Sequence, residues 1–369
     1  MDRLICTACK QSYPTDRPRW RCDCGGLLDL DFQPRFDLDK IAARPPDMWR
    51  YQEALPVEPQ DFIRFGEGFT PLLPLDFDGR QVWVKQDQLF TTGSYKDRGA
   101  AVMISKTHSL GVRTVVEDSS GNAGCAVAAY CARAGIDCEI FVPADNSPGK
   151  LAQILAYGAR LNRVPGSRED TSAAVWEAAA ERYYASHVWN PYFFQGTKTW
   201  AYEVCEQLGW QAPRTVVLPA GNGTLLLGAA LGFDELFRAG IIGRVPRILA
   251  VQAANCAPLS RAFQTGQIVP PAGLQSTPTL AEGIAIAKPA RAAQIIRAVH
   301  ASRGTFLTVT EEEIRGALRR VTHMGYFIEP TSAAAIAGLL QYLPDARPEE
   351  SIVSVFTGHG LKAAEKTLV

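Results

Sequence analysis

The sequence has no surplus of either charge: 38 Lys and Arg stand against 38 Asp and Glu in 369 residues. No long-range field is available to hold a polyanion, so a nucleic-acid or anionic-membrane role would need a strong local patch. None is present; Arg17, Arg19 and Arg21 around Trp20 read as a solvated face between turns. Long hydrophobic runs are also missing. The long uncharged stretch Thr215 to Phe233 is broken by Pro219, Asn222 and four glycines, which suits a strand, a loop and a helix better than a membrane span. Met1 to Cys6 lacks the apolar core of a signal peptide, so a cytoplasmic location is expected. There is no internal repeat and no low-complexity segment. What the composition does hold is 47% hydrophobic residues with 31 Gly and 24 Pro, enough apolar mass for real cores. At about 100 to 200 residues per domain, the length suggests two domains.

Cysteine is sparse and odd in number, and nine thiols in a chain this long fit reduced side chains rather than a disulfide framework. Four of them are clustered. Cys6-Thr7-Ala8-Cys9 is followed after twelve residues by Cys22-Asp23-Cys24-Gly25-Gly26, which is zinc-ribbon spacing. The second pair is tighter than the usual two-residue gap and must bend harder to place both sulfurs on one ion. Cys6, Cys9, Cys22 and Cys24 are therefore candidate ligands of a structural Zn2+. The alternative is a degenerate ribbon that survives as a packed hairpin without metal. After Leu30, the Pro-containing stretch to Pro59 reads as a linker into the main body.

From Trp83 onward, β-rich runs alternate with helical ones, the pattern of an α/β protein with largely parallel sheets. Thr114 to Glu117 predicts a strand, Cys125 to Ala134 a helix ended by Gly135, and Cys138 to Val142 the next strand. A second βαβ unit runs through Thr215 to Leu218, a helix from about Thr224 to Arg238, and Arg247 to Val251. Two such units imply two sheets or two halves. Helices are predicted over Glu311 to Met324 and Ser332 to Leu343, with a last strand over Ile352 to Phe356.

Three loops could carry chemistry. Gly93-Ser94-Tyr95-Lys96-Asp97 places Lys96 in the first turn of a helix, with Ser94 as N-cap and Asp97 as its capping-box partner. A lysine there is ordinarily just solvated, but if the site is desolvated, the positive helix end and burial favour the neutral amine that a Schiff base needs. Asp118-Ser119-Ser120-Gly121-Asn122 and Ala220-Gly221-Asn222-Gly223-Thr224 each lie between a strand and a helix, where backbone N–H groups can receive a carboxylate or phosphate. The second loop lacks the Gly-Lys-Ser/Thr of a P-loop and the glycine spacing of a dinucleotide fingerprint, so a small monophosphate fits better than a nucleotide.

Together with Glu329-Pro330-Thr331-Ser332-Ala333 and Thr357-Gly358-His359-Gly360-Leu361-Lys362, these stretches give a sequence that resembles the fold-type II pyridoxal-phosphate enzymes, and within them the threonine synthases. The likeness covers about Phe65 to Lys362, and the Cys-Gly-Gly hairpin is similar to the front end of many threonine synthases. It implies a two-domain α/β fold, tryptophan synthase β-like, with pyridoxal 5'-phosphate in the cleft. Lys96 would hold the cofactor and then move protons at the substrate's α and β carbons. Asn122 would bond the ring hydroxyl, and Ser119, Ser120 and Ala123 would receive the substrate carboxylate. Gly221, Asn222, Gly223, Thr224 and Leu225 would hold the cofactor phosphate, and Thr357 would face the pyridine nitrogen. His359 is expected to order the last loop rather than to act as a base. Glu282 is expected either to line the pocket or to start a helical turn.

The domains expected are a ribbon-like hairpin over 1–35, a larger cofactor-binding domain over 36–92 plus 193–369, and a smaller mobile domain over 93–192. The partners expected are a small amino-acid substrate and, from the family, a second copy in a homodimer, with no nucleic acid and no membrane. One departure stands out. The family's Asn-Pro-(His/Tyr)-Arg-Leu-Glu-Gly-Gln-Lys-Thr, whose arginine helps bind the phosphate of O-phosphohomoserine, reads here Asn190-Pro191-Tyr192-Phe193-Phe194-Gln195-Gly196-Thr197-Lys198-Thr199. Phe193 replaces a bidentate donor with an apolar ring unless Lys150, Arg98 or Lys198 substitutes. The resemblance implies conversion of O-phosphohomoserine and water to threonine and phosphate by elimination and β-addition. A dehydratase or β-replacement enzyme acting on threonine, serine or a phosphorylated relative is the alternative in the same fold. A non-enzymatic regulatory protein on a vestigial fold is the third.

Overall fold

The computed structural model describes residues 2–145, 148–166, 168–271, 273 and 276–367, and of 148–150, 168 and 367 the backbone only. A three-stranded antiparallel ribbon comes first: β1 (Arg3–Cys6), β2 (Ser12–Pro14) and β3 (Leu28–Asp31), in the order β2-β1-β3. Helix α1 (Leu38–Ala43) and the antiparallel pair β4 (Leu72–Phe77) and β5 (Arg80–Lys85) follow. Then α2 (Lys96–Ser109), β6 (Thr114–Glu117), α3 (Asn122–Ala134), β7 (Asp137–Pro143), α4 (Pro148–Ala156) and β8 (Arg160–Val164) alternate. Next come α5 (Arg168–Ala178), β9 (Tyr183–Tyr184), α6 (Pro191–Thr197) and α7 (Thr199–Gln207). The last third holds β10 (Thr215–Pro219), α8 (Thr224–Arg238), β11 (Arg247–Ala253), α9 (Pro258–Gln264), α10 (Ala292–Ala301) and β12 (Thr305–Val309). It ends with α11 (Glu311–His323), α12 (Pro330–Tyr342), β13 (Ile352–Val355) and α13 (Ala364–Thr367).

The chain divides into two compact units, residues 1–69 with 96–197 and residues 70–95 with 198–369. The first contains the ribbon and a parallel four-stranded sheet, β8-β7-β6-β9. The second contains a six-stranded sheet, β12-β11-β10-β13-β5-β4, parallel except at its β4 edge. Parallel strands buried on both faces demand continuous apolar runs. Val115 and Val116 in β6, and Val216 to Leu218 in β10, supply them, each fully buried. Helix ends follow local chemistry. Gly135 takes φ +65° and donates to the Ala132 and Cys131 carbonyls, closing α3 as a left-handed C-cap. Thr310 and Glu313 form a reciprocal capping box on α11, and Pro330 opens α12.

The boundaries differ from those expected. Residues 36–69 fall in the first unit, because Met48, Trp49, Leu55 and Val57 share one core with α2 and α3. Trp49 stacks on Phe62 with centroids 4.0 Å apart, and the Ile63 N–H donates to Ser105 Oγ of α2 at 2.8 Å. Residues 193–197 join the same unit for the same reason: Phe193 belongs to its core. No helix among the described residues is long and apolar enough to cross a membrane.

Candidate active site

In an open α/β sheet, ligands bind beyond the carboxyl ends of the strands where the strand order turns back. In the second unit that point lies between β10 and β13, since β11 and β12 extend the sheet one way and β5 and β4 the other. The loops leaving these two strands hold the expected residues. A Cβ on Gly221 would lie 2.8 Å from Ile284 Cα and 3.1 Å from the Gly283 carbonyl oxygen. Gly223, at φ +71°, is the N-cap of α8 and offers no side-chain cap. A Cβ there would meet Ile295 Cδ1 at 2.4 Å. The loop is thus a backbone cradle at the N-terminus of an apolar fifteen-residue helix, whose first N–H groups lie where a dianion is best received. Thr224 Oγ1 is 2.7 Å from the Tyr95 hydroxyl, and Leu225 is buried beneath it.

The loop after β13 runs beside residues 93–95: the Tyr95 N–H donates to the Thr357 carbonyl at 3.0 Å and the His359 N–H to the Gly93 carbonyl at 2.9 Å. Thr357 is buried, with Oγ1 3.0 Å from Ser332 Oγ. Ser332 Oγ already accepts the Thr357 N–H at 2.8 Å and the Gly358 N–H at 3.2 Å. With its lone pairs engaged, it must donate to Thr357, which leaves the Thr357 proton to be donated onward. Ser94 is not the cap expected of it. Its backbone bridges Gly358, α2 begins only at Lys96, and its fully buried Oγ bonds no described residue. That orphaned hydroxyl, the cradle and the Thr357 donor match the needs of a phosphorylated aromatic group. His359 does order its loop: its Nδ1 accepts the Leu361 N–H at 3.2 Å. Glu282 opens a single turn, half exposed, and is paired with Lys366.

In the first unit the corresponding switch point lies between β6 and β9. The loop after β6 closes tightly on α3: a Cβ on Gly124 would lie 1.8 Å from the Ser119 carbonyl oxygen. Ser119 Oγ accepts the Gly121 N–H at 3.3 Å, and no side chain caps α3. Ser119, Ser120 and Asn122 are half-buried and Ala123 is buried. Asp118, just before them, is held by the Tyr184 hydroxyl at 2.7 Å and by Ser172 Oγ at 3.2 Å. Burial first, then the Asp118 and Glu117 carboxylates, push the Tyr184 phenol well above its ordinary pKa, so it remains a donor.

Lys96 opens α2, half-buried, with Nζ 5.6 Å from the centroid of the Phe193 ring. Phe193 is fully buried in a shaped socket. A Cβ on Gly99, one turn beyond Lys96, would lie 2.3 Å from its ring, and His187 stands edge-on with centroids 6.0 Å apart. His187 Nδ1 is 2.8 Å from Glu117 Oε1. Of the cations that could replace an arginine, Lys198 is fully buried and paired with Glu235 at 3.0 Å. Burial lowers its pKa against the pull of that carboxylate. Arg98 is fully buried, and the side chain of Lys150 lies outside the described residues. Asp118 with its donors, and Phe193 with Gly99, escaped the sequence reading. Their partners are remote in the chain, and only the glycine one turn after Lys96 hinted at a close neighbour. The sulfurs of Cys6, Cys9, Cys22 and Cys24 do come together, all within 4.8 Å of one another.

The threonine synthase of Methanocaldococcus jannaschii is 35% identical, covering 97% of this chain and 92% of its own. That of Methanosarcina acetivorans is 34% identical over 98% and 92%. Among solved structures, the processed form of threonine deaminase isoform 2 from Solanum lycopersicum superposes with a TM-score of 0.72 at 21% identity, covering 95% of this chain and 96% of that one. At that identity the likeness speaks for the fold. Residues 63–358 match the pyridoxal-phosphate dependent enzymes throughout, and with both switch-point loops and Lys96 inside that span, the chain belongs to this family.

Proposed function

We infer that the protein is a threonine synthase, converting O-phosphohomoserine and water to threonine and phosphate with pyridoxal 5'-phosphate. The observation that carries this is the whole-chain likeness to threonine synthases, at 97% coverage. The residues present suit the cofactor, since positions 221 and 223 are packed too closely on Ile284 and Ile295 to admit a Cβ and so offer bare backbone N–H groups at the start of α8. Pyridoxal phosphate, when bound, supplies the electron-withdrawing ring that makes the substrate's α carbon acidic.

The rest falls to this chain's own groups. The N–H groups of Gly221 to Leu225 hold the phosphate at the start of α8. The Thr357 hydroxyl, its proton free to be donated onward, would face the ring nitrogen as a neutral partner that does not force that nitrogen to carry a proton. Asn122 bonds the ring hydroxyl. Ser119, Ser120 and Ala123 receive the substrate carboxylate at the start of α3. Lys96 would hold the cofactor and move the protons: one leaves the α carbon and one the β carbon as phosphate departs from the γ carbon, one is returned to the γ carbon to make the methyl group and one to the α carbon, and water supplies the β hydroxyl. The same reading carries a cytoplasmic homodimer, which sedimentation of the purified protein would test.

One observation favours a second reading. Phe193 is fully buried beside Lys96, and Lys198 is already paired with Glu235. An apolar ring there suits a dehydratase or β-replacement enzyme acting on threonine or serine. The experiment is a product assay on the cofactor-loaded protein. O-phosphohomoserine is offered in one tube, threonine and serine in another. Released phosphate with matching threonine supports the synthase; a 2-oxo acid with ammonia and no turnover of the phosphorylated substrate selects the second reading. A protein that takes up no pyridoxal phosphate overturns both.

A further inference from the structure

The ribbon of the first unit holds a cluster of metal-ligating side chains that the reaction does not use. Its four sulfurs lie within 4.8 Å of one another with no disulfide among them. Cys6 Sγ is 3.6 Å from Cys24 Sγ, and Cys9 Sγ is 3.5 Å from Cys22 Sγ. Four thiolates about 2.3 Å from one zinc ion stand about 3.8 Å apart at tetrahedral angles. The surrounding backbone is built for the sulfurs. A Cβ on Gly26 would lie 2.7 Å from Cys6 Sγ and 3.3 Å from Cys24 Sγ. Gly25, at φ +81°, makes the sharp turn that the short Cys-x-Cys spacing demands. The Tyr13 hydroxyl lies 3.0 Å from Cys22 Sγ, an outer partner for a ligating sulfur.

A second observation says what the ribbon does. Trp20, between the two cysteine pairs, is buried edge-on against Trp176, Tyr184 and Trp189, with centroids 6.1, 5.0 and 5.9 Å away. Trp176 and Ser172 are one helical turn apart on α5 and share a face. Ser172 and Tyr184 both donate to Asp118. Trp20 therefore packs on the two elements that anchor the residue preceding Ser119.

We propose that Cys6, Cys9, Cys22 and Cys24 bind one structural zinc ion and that the ribbon it closes, acting through Trp20, fixes Asp118 and so positions the 119–122 loop. Binding displaces the thiol protons, and no oxidant or reductant takes part. The ribbon's few apolar residues, Leu4, Tyr13, Trp20 and Leu28, are shared with the core of the first unit, and the metal closes its cysteine end. The metal site stands on the sulfur geometry alone; the consequence for substrate rests on the carboxylate role proposed above for the loop.

The test uses the cofactor-loaded full chain. Elemental analysis is expected to find one zinc per chain, absent after Cys9→Ser with Cys24→Ser, the two solvent-facing ligands. Tyr13→Phe weakens zinc about tenfold. Protein without zinc, both as purified and after anaerobic incubation with it, overturns the site, and iron in its place overturns the metal's identity. Trp20→Ala is expected to keep zinc and cofactor while amide hydrogen exchange over 118–122 speeds about tenfold or more. KM for O-phosphohomoserine rises with little change in kcat. Stripping zinc from the native protein with a chelator speeds the same amides, which covers a Trp20 variant that does not fold. Unchanged exchange in both overturns the positioning role. Metal content and exchange are read without turnover, so their failure is distinguishable from failure of the synthase reading.

Discussion

The two strand–loop–helix segments, Ser119 to Asn122 after β6 and Gly221 to Leu225 after β10, start from the same plan and are supported in opposite ways. Each follows a parallel strand at a switch point and leads into a helix with no side-chain cap. The Gly221 loop is fixed from within, where main chain meets main chain and a Cβ on Gly221 would strike Ile284. The Ser119 loop has open space at Gly121 and presents half-buried hydroxyls. Its main-chain contact lies on the helix side, where a Cβ on Gly124 would meet the Ser119 carbonyl oxygen at 1.8 Å, and its strand side is braced through Asp118 by Tyr184 and Ser172. A resident phosphate can be gripped by backbone that never needs to change. A substrate that comes and goes is better met by side chains on an adjustable loop with an outside brace.

Alkali should separate the two with the largest effect. Burial pushes the Tyr183 phenol up to about 12 and raises Tyr184 and Tyr130 beside it in the first unit. An unfolded phenol loses its proton near pH 10. This contribution is therefore complete below about pH 10 and is lost as pH climbs through 12, about 3 kcal/mol from Tyr183 alone. Tyrosinate absorbance followed with circular dichroism should show the first unit opening ahead of the second. Gly221→Ala should cost about 2 kcal/mol of overpacking, weakening pyridoxal phosphate roughly thirtyfold in an absorbance titration. Asp118→Asn keeps shape but loses charge-assisted bonds worth about 1.5 kcal/mol, so KM should rise about tenfold at unchanged cofactor affinity. Gly121→Ala, with nothing within 4 Å of the added Cβ, should change either constant by less than about twofold. Equal sensitivity at 121 and 221 would erase the contrast.

The sequence is most legible where chemistry is local. Thr114–Glu117 and Thr224–Arg238 form the strand and helix their patterns predict, because β-branched runs and leucine periodicity decide such elements within a few residues. The glycine loop between β10 and α8 is legible because its strand and helix are set by local pattern, although a tight turn alone would account for glycines there. Ser94 misled, since its capping pattern is local while the bridge that claims its backbone comes from Gly358, far along the chain. The brace on Asp118 was invisible for the same reason: its donors lie 54 and 66 residues away. The stretch after Leu30 to Pro59 reads as a linker in the sequence, yet Met48, Trp49 and Leu55 tie it to the core of the first unit, a matter of packing that spacing does not encode.

Phe193 and Gly99 act as a ratchet on the history of this chain. The ring occupies the volume that a side chain at 99 would need, and Gly196 in the same helix lets that helix approach so closely that its own Cβ would lie 1.9 Å from the Arg98 carbonyl oxygen. Exchanging Phe193 for a cation would strand a charge in a dry socket, and enlarging Gly99 first would expel the ring. Neither position can be enlarged or charged alone without loss of packing, so putting a cation in place of the ring calls for concerted substitutions.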